Sequence, residues 1–282
     1  MVRHPVSRPI DVLHLGRDRV ICAYEIEGMI VDPGPASCVE TLIDRLGPVE
    51  PRALLLTHIH LDHAGATGVL CRRYPNLHVY VHELGAPHLV DPSKLLKSAG
   101  RLYGDAMWEL WGEVAPVPEE RITALRGGET IEGFRVAYTP GHASHHVSFM
   151  HEETGDAYVG DVAGVRIPPY PFVVAPTPPP DIDVEAWLDS LHTIACWSPQ
   201  TLGLTHFGRV TEVADHLHRM RLSLVDSADR ARMKDEETFI ARLEEQLLDA
   251  SDPAAVEAFE QAAPPNQLYM GLERYWRKKA EP

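Results

Sequence analysis

The chain has 282 residues, 44% of them apolar, which is enough to bury a core without disulfides or a metal staple. Its 41 acidic and 26 basic residues give a formal charge of -15, which repels phosphate backbones and anionic lipid and argues against nucleic-acid or membrane partners. No stretch is apolar for long enough to span a bilayer, and Met1 to Ile10 lead into Asp11 without a signal-type apolar run, so a cytoplasmic protein is expected.

In chain order, Val20 to Val31 reads as a hairpin or a pair of strands, ended by Asp32-Pro33-Gly34-Pro35. A helix over Ser37 to Leu46 follows. Ala53 to Leu56 is then a short buried strand that delivers Thr57 onward to its C-terminal edge, with a helix from His63 to Tyr74 and a strand from Leu77 to Val81. Between Glu83 and Glu120 strand character fades. Leu95, Leu96, Leu102, Met107, Trp108 and Trp111 suggest helices, and we read 83–120 as a helical cap over a cleft. Strand signals return at Thr130 to Tyr138, His146 to Met150 and Ala157 to Val159. The run Pro168 to Pro180 excludes regular helix or central strand and reads as an ordered loop. Asp181 or Asp183 caps a helix carrying Trp187, Leu188, Leu191 and Ile194. Thr201 to Thr205 is a strand ending at His206. The remainder is helical, clearest at 211–222, 236–248 and 264–276. The expected organisation is a catalytic domain over 1–215 and a helical region over 216–282 packed on it.

The four cysteines, Cys22, Cys38, Cys71 and Cys196, form no C-x-x-C unit and read as buried free thiols. The chemistry lies instead in Thr57-His58-Ile59-His60-Leu61-Asp62-His63, which packs four potential ligands into six residues just after a strand. In an extended segment His58 and His60 point the same way, so both can grip one ion. Asp62 and His63 follow as the chain turns into a helix and aim toward a second position. His142 after Pro140-Gly141, Asp161 after Gly160, and His206 after Thr205 each stand where another strand stops, as expected when a scaffold holds ligands rigidly. By role, His58, His60 and His142 form a three-imidazole site, Asp62, His63 and His206 form a second, and Asp161 bridges them. Nitrogen and oxygen donors match two divalent ions, Zn²⁺ first, with iron or manganese as alternatives. Asp62 and Asp161 are also the candidate catalytic carboxylates. Behind the ligands, His146 is read as a hydrogen-bonding support. Asp32 is read either as a turn former or as a prop for the 58–62 loop through backbone amides or a ligand imidazole. His4, His14, His78, His82, His88, His151, His192, His216 and His218 lack such company and read as surface, capping or core residues.

With Val31-Asp32-Pro33-Gly34, the H-x-H-x-D-H run, Gly141-His142, Gly160-Asp161 and Thr205-His206, the chain resembles the metallo-β-lactamase superfamily over roughly residues 12 to 215. The branch it resembles holds hydroxyacylglutathione hydrolases (glyoxalase II) and lactonases. The resemblance implies an α+β fold, a four-layer αβ/βα sandwich with metals at one edge, here with a helical insertion and a helical C-terminal extension. It carries over the ligand roles just given, with no position missing. His60 stands where flavodiiron oxidoreductases have glutamate, and Asp161 supplies a bridging carboxylate that true β-lactamases generally lack. The ribonucleases' basic insertion is absent.

The implied activity is hydrolysis of a small ester, lactone or thioester by a dinuclear metal enzyme acting as a monomer or homodimer. The alternatives are a mononuclear-iron persulfide dioxygenase of the same superfamily and a non-catalytic metal-binding protein. Departures limit the substrate assignment. No glutathione-binding basic set is recognisable beyond Arg274, Lys278 and Lys279, and the tyrosine that lactonases place near the bridging aspartate is missing from Val162 to Val165. Tyr103 or Tyr170 could occupy its space, and Tyr103, Trp108, Tyr170 and Phe172 are expected at the substrate pocket, with Trp111, Tyr269 and Trp276 as further aromatic candidates.

Overall fold

A computed structural model describes residues 7–281; residues 1–6, including His4 and most of the segment read for a leader, lie outside the described residues, as does Pro282. Among the described residues, twelve strands form two six-stranded mixed sheets. The first runs in chain order: β1 (Arg8–Asp11), β2 (Cys22–Ile26), β3 (Met29–Val31), β4 (Ala53–Leu55), β5 (His78–His82) and β6 (Ile122–Leu125). Its first two pairings are antiparallel and the rest parallel. The second comprises β7 (Thr130–Ile131), β8 (Phe134–Tyr138), β9 (Val147–His151), β10 (Asp156–Tyr158), β11 (Thr201–Leu204) and β12 (Gly208–Val210), in reverse chain order with only β10 and β11 parallel.

Alternation along the strands sorts the side chains into layers. Tyr24, Ile26, Met29, Val31, Ala53 and Leu55 of the first sheet meet Phe134, Val136, Val147, Phe149 and Tyr158 of the second in a closed apolar layer. The intervening residues, such as Ile30, Leu54, Val79, Ala157 and Leu202, face outward and join the helical layers. α1 (Val39–Leu46), α2 (Leu61–Ala64) and α3 (Thr67–Arg73) belong to the first half, and α4 (Ala86–Val90), α5 (Ser93–Tyr103) and α6 (Met107–Trp111) fall within 83–120. α7 (Val184–Trp197) is capped by Asp183, whose carboxylate accepts from the Ala186 amide. After it come α8 (Val213–Ala231), α9 (Glu236–Ala250), α10 (Pro253–Ala262) and α11 (Pro265–Ala280). One buried cluster runs from Ile10 to Tyr275, so the C-terminal helices share the core of the sandwich.

Several elements differ from the sequence reading. The stretch 130–138 is a hairpin, β7 and β8, because Glu132 and Gly133 at φ 49° and 83° make a tight turn. The helix expected over 63–74 is two helices. β1, β6 and β12 were not anticipated, α10 falls in the stretch read as helical without having been delimited, and Cys196 is exposed while the other three cysteines are buried. Among the described residues no helix is long and apolar enough to cross a membrane.

Candidate metal centre and its cavity

The strand β4 stops because Thr57 turns its hydrogen bonds elsewhere. Its amide and hydroxyl donate to the two oxygens of Asp32 at 2.8 and 2.7 Å, and its carbonyl accepts from the Val147 amide of the other sheet at 2.8 Å. His58 and His60 follow in this pinned loop, and α2 then presents Asp62 and His63. Thr205 repeats the arrangement at the end of β11: its hydroxyl donates to Asp32 at 2.9 Å and its carbonyl accepts from the Cys22 amide at 2.8 Å, immediately before His206. Gly141 and Gly160 set the remaining two ligand loops. Gly160 has φ 47°, and a Cβ there would lie 2.5 Å from Thr57 Oγ1 and 2.7 Å from His146 Nε2; at Gly141, φ 129°, it would meet the Trp187 backbone at 2.4 Å.

The seven residues singled out in the sequence come together. Candidate ligand atoms of His58, His60 and His142 lie within 4.8 Å of one another, as do those of Asp62, His63 and His206, and a third such group, His58, His63 and Asp161, joins them. Asp161 faces both sides, with Oδ2 at 3.3 Å from His142 Nε2 and Oδ1 at 3.2 and 3.6 Å from the Nε2 atoms of His63 and His206.

The surroundings fix which ring nitrogen is free. His142 Nδ1 donates to the Pro176 carbonyl at 2.8 Å, His206 Nδ1 to the Val20 carbonyl at 2.6 Å, and His63 Nδ1 to Asp32 at 2.8 Å. The Thr57 hydroxyl spends its proton on Asp32 and so accepts from His58 Nδ1 at 3.1 Å. In each neutral ring the Nε2 lone pair is therefore left pointing into the cluster. There, Nε2 of His58 and of His142 both face His60 Nδ1, at 3.0 and 2.9 Å. The buried Nε2 atoms of His63 and His206 and Oδ1 of Asp161 have no hydrogen-bond partner. Converging lone pairs and orphaned acceptors are what a cation would satisfy, so the residues fit divalent ions.

Electrostatics agree with that donor set. Burial, reinforced by the neighbouring imidazoles, holds His58 well below its ordinary range and brings His60 down to about 4. Burial also dominates the lowering of His142. For Asp62 and Asp161 burial acts upward, but the surrounding histidines, His63 foremost, hold both carboxyls below the usual carboxylate range. Burial acts downward on His63 and His206, and Asp161 with Asp62 more than offsets it, so both imidazoles are raised.

Asp32 accepts from Thr57 twice, Thr205 and His63, and thus ties two ligand loops and one ligand ring to a single fully buried carboxylate. His146 stacks on His58 at 5.0 Å between ring centroids, with its Nδ1 on the Thr139 hydroxyl. It supports the His58 ring by contact, and no hydrogen bond joins it to a ligand.

In front of the cluster lies a cavity of about 770 Å³, reached by Asp62, His60, His145 and Asp161 from the cluster side. Of the aromatic residues expected there, Tyr103 and Trp111 line it. Trp108 does not; it is 73% exposed. Tyr170 instead donates to Asp252 at 2.9 Å and Phe172 packs on Phe259, because α10 and its N-cap give both a partner away from the cavity. Tyr269 packs on Phe239, and the Trp276 indole donates to the Ala228 carbonyl. The C-terminal basic residues are also engaged: Arg274 and Lys278 donate to the Pro180 carbonyl and Lys279 pairs with Glu185. Residues the sequence reading passed over complete the wall. His14 donates through Nε2 to the Leu110 carbonyl, accepts from Gln261, and stacks on Trp111 at 5.4 Å. No local signal marks His14, whose partners are 96 and 247 residues away.

A model of the metallo-beta-lactamase superfamily matches residues 23–195. A metallo-beta-lactamase fold-containing protein of Sulfurisphaera tokodaii is 28% identical over 223 residues, covering 75% of this chain and 81% of that one. Hydroxyacylglutathione hydrolases of Synechococcus and Enterobacter are 29% identical over 136 residues and 32% identical over 121. These two matches cover 47% and 43% of this chain and 42% and 37% of theirs, so the likeness spans less than half of those hydrolases. Among solved structures, an archaeal metallo-beta-lactamase superfamily protein from Sulfolobus tokodaii superposes with a TM-score of 0.69 at 23% identity, covering 96% of this chain and 99% of that one. A metallo-beta-lactamase family protein of Thermus thermophilus gives 0.64 at 20%, covering 98% and 94%. At these identities the structures speak for a common fold.

Proposed function

The chain belongs to the metallo-beta-lactamase superfamily, and from that premise and the geometry of its cluster we propose that it is a dinuclear metal-dependent hydrolase of small esters, lactones or thioesters. The observation that carries the reading is the set of buried donor atoms aimed at one volume, with Nε2 of His63 and of His206 crowded within 3.6 Å of Asp161 Oδ1 yet all three without a hydrogen-bond partner. In this reading His58, His60 and His142 hold one divalent ion, Asp62, His63 and His206 hold the other, and Asp161 bridges. When bound, the pair would supply an ionised water as nucleophile and a Lewis-acid contact for the scissile carbonyl.

The protein's own groups do the rest. The buried Asp32 network keeps the ligand rings oriented, and His142 and His206 stay in the required tautomer through the carbonyls of Pro176 and Val20. Asp62, whose side chain is 21% exposed toward the cavity, is the carboxylate placed to pass a proton to the leaving group. Imidazole and carboxylate donors favour zinc, with iron or manganese as alternatives. The named hydrolase relatives support the reaction class through partial matches, and they leave the acyl and leaving groups open. The substrate is a small molecule, and the chain acts in the cytoplasm as a monomer or homodimer.

Metal analysis of the purified protein, paired with a panel of esters, lactones and thioesters, tests the proposal. Two metals per chain with turnover on the panel is the expected result. Two metals without turnover would count against hydrolysis, and one iron with sulfite release from a persulfide would replace it by the dioxygenase reading.

A further inference from the structure

The cavity has a charged rim that the cluster's chemistry does not use. Its volume of about 770 Å³ lies in the upper part of the usual range for small-molecule sites, so it holds considerably more than a scissile carbonyl. One wall is α5, where helical spacing brings Lys94, Leu95, Ser98, Ala99, Arg101 and Leu102 to the cavity, while Lys97 is not part of its lining. Leu95, Ala99 and Leu102 give this wall an apolar strip. Lys94 and Arg101 flank the strip, about 10 Å apart along the axis, and both are exposed to solvent.

Neither cation has an ion pair or a hydrogen bond among the described residues. Three other exposed arginines are committed to carboxylates, Arg52 to Glu132, Arg72 to Glu113 and Arg126 to Glu83, whereas Arg221 and Arg242, also exposed, lie away from the cavity. Asp91, whose carboxyl Lys94 helps to lower, is engaged by the Ser93 amide at 3.0 Å. The carboxylates that line the cavity lie elsewhere. Asp62 and Asp161 belong to the histidine cluster, and Asp181 is held by the Ser144 hydroxyl at 2.6 Å beside His145 and His60. The cavity is thus acidic around its histidines, apolar along α5, and cationic at that helix's exposed positions, in a chain whose net charge is -15.

We propose that α5 reads an anion: the substrate is an ester or thioester whose apolar chain lies along Leu95, Ala99 and Leu102 and ends in a carboxylate or phosphate met by Lys94 and Arg101. The identity of the cleaved bond rests on the hydrolase reading; the shape and charge of the ligand do not. Because the contact is distant from the reacting carbonyl, it holds substrate and transition state alike and acts through KM.

The test is calorimetric binding to the metal-loaded protein of adipate, suberate and sebacate against hexanoate, octanoate and decanoate, so that each pair differs only in the second carboxylate. The expected result is a preference of about tenfold for the best dicarboxylate, weakening as salt is raised. Lys94→Gln with Arg101→Gln abolishes that preference, whereas Lys97→Gln on the same helix retains it. Equal binding of each pair, or a preference that survives the double substitution, overturns the inference. An ω-phosphono analogue of suberate, bound more tightly than suberate, identifies phosphate as the natural anion. Chromogenic monoesters of the same diacids separate the two readings. If none is cleaved while the calorimetric preference stands, hydrolysis fails and the anion site holds; if charged and methyl-ended esters are cleaved with equal KM, the anion site fails and hydrolysis holds.

Discussion

Asp32 offers the sharpest test of how the centre is held. Its side chain is fully buried and accepts four hydrogen bonds, from the Thr57 amide, the hydroxyls of Thr57 and Thr205, and His63 Nδ1. It also sits at φ 47°, in a tight turn before Pro33-Gly34, so a turn-forming role alone would account for its presence. Asparagine separates the two roles, because it tolerates a left-handed backbone nearly as well as aspartate yet offers one acceptor oxygen and an NH₂ group that would confront donors. Hydroxyls can rotate to other acceptors, but the Thr57 amide and the His63 ring cannot. An unpaired buried donor costs about 1–3 kcal/mol, so Asp32→Asn should lose roughly 2–4 kcal/mol. For a chain of this size that is a fall in melting temperature of about 3–7 °C. Zinc affinity should drop about 10–100-fold, as is usual when the partner behind a ligand imidazole is lost. Thermal unfolding in chelator and competition titration with a zinc indicator read the two effects separately. Native melting and native zinc affinity in Asp32→Asn would show that the aspartate shapes the turn only, and the argument for a carboxylate-held centre would fall.

Three other outcomes follow from the same geometry. Gly160→Ala places a methyl against Thr57 Oγ1 and His146 Nε2 at a positive φ; strain of about 1–2 kcal/mol and overpacking of about 1–3 kcal/mol should appear in denaturant unfolding, and a loss below about 1 kcal/mol would contradict the fit. Tyr24→Phe removes a buried hydroxyl that donates to the Leu204 carbonyl at 2.7 Å between the two sheets, and it should cost about 1–2 kcal/mol with metal content unchanged. Because Asp161 and Asp62 raise His63 and His206 in the metal-free cluster, both rings hold protons to higher pH than a free imidazole, and an ion must displace them there. Zinc loading should therefore release protons, and zinc affinity should rise with pH until both rings are neutral. Titration calorimetry in buffers of different ionisation enthalpy measures that release, and a pH-independent affinity would refute it.

What the sequence made legible was local. His58 to His63 announce themselves because four ligands share six residues, and His142, Asp161 and His206 because each follows a strand within one turn. Strands with apolar alternation or a sharp terminator were also readable. The pocket was not, since its walls come from segments with no sequence relation: His14 meets Leu110 and Gln261 across nearly the whole chain. Trp108 shows the limit of reading aromatics as lining residues, because a large apolar side chain on a short helix can stay in solvent. Tyr170 and Phe172 went astray for a related reason: their partners, Asp252 and Phe259, flank or belong to a helix far along the chain, Asp252 being 82 residues from Tyr170. Edge strands β1, β6 and β12 are three or four residues long, too short for alternation to show.

The two threonines that precede ligands explain why the cluster can keep its shape before any ion binds. Thr57 and Thr205 each send a hydroxyl to Asp32 and a carbonyl to an amide of the opposite sheet, at Val147 and Cys22. The ligand-bearing edge is thus the place where the two sheets are stitched by main-chain bonds, with Tyr24 adding a third link at Leu204. A loop so pinned presents its imidazoles from backbone that bonds between the two sheets hold in place. Bound ions would add stability by mass action, but the ordering cost of the site is already met by burial and hydrogen bonding of the sandwich itself. That separates this centre from small metal-folded domains, where ligands and fold appear together.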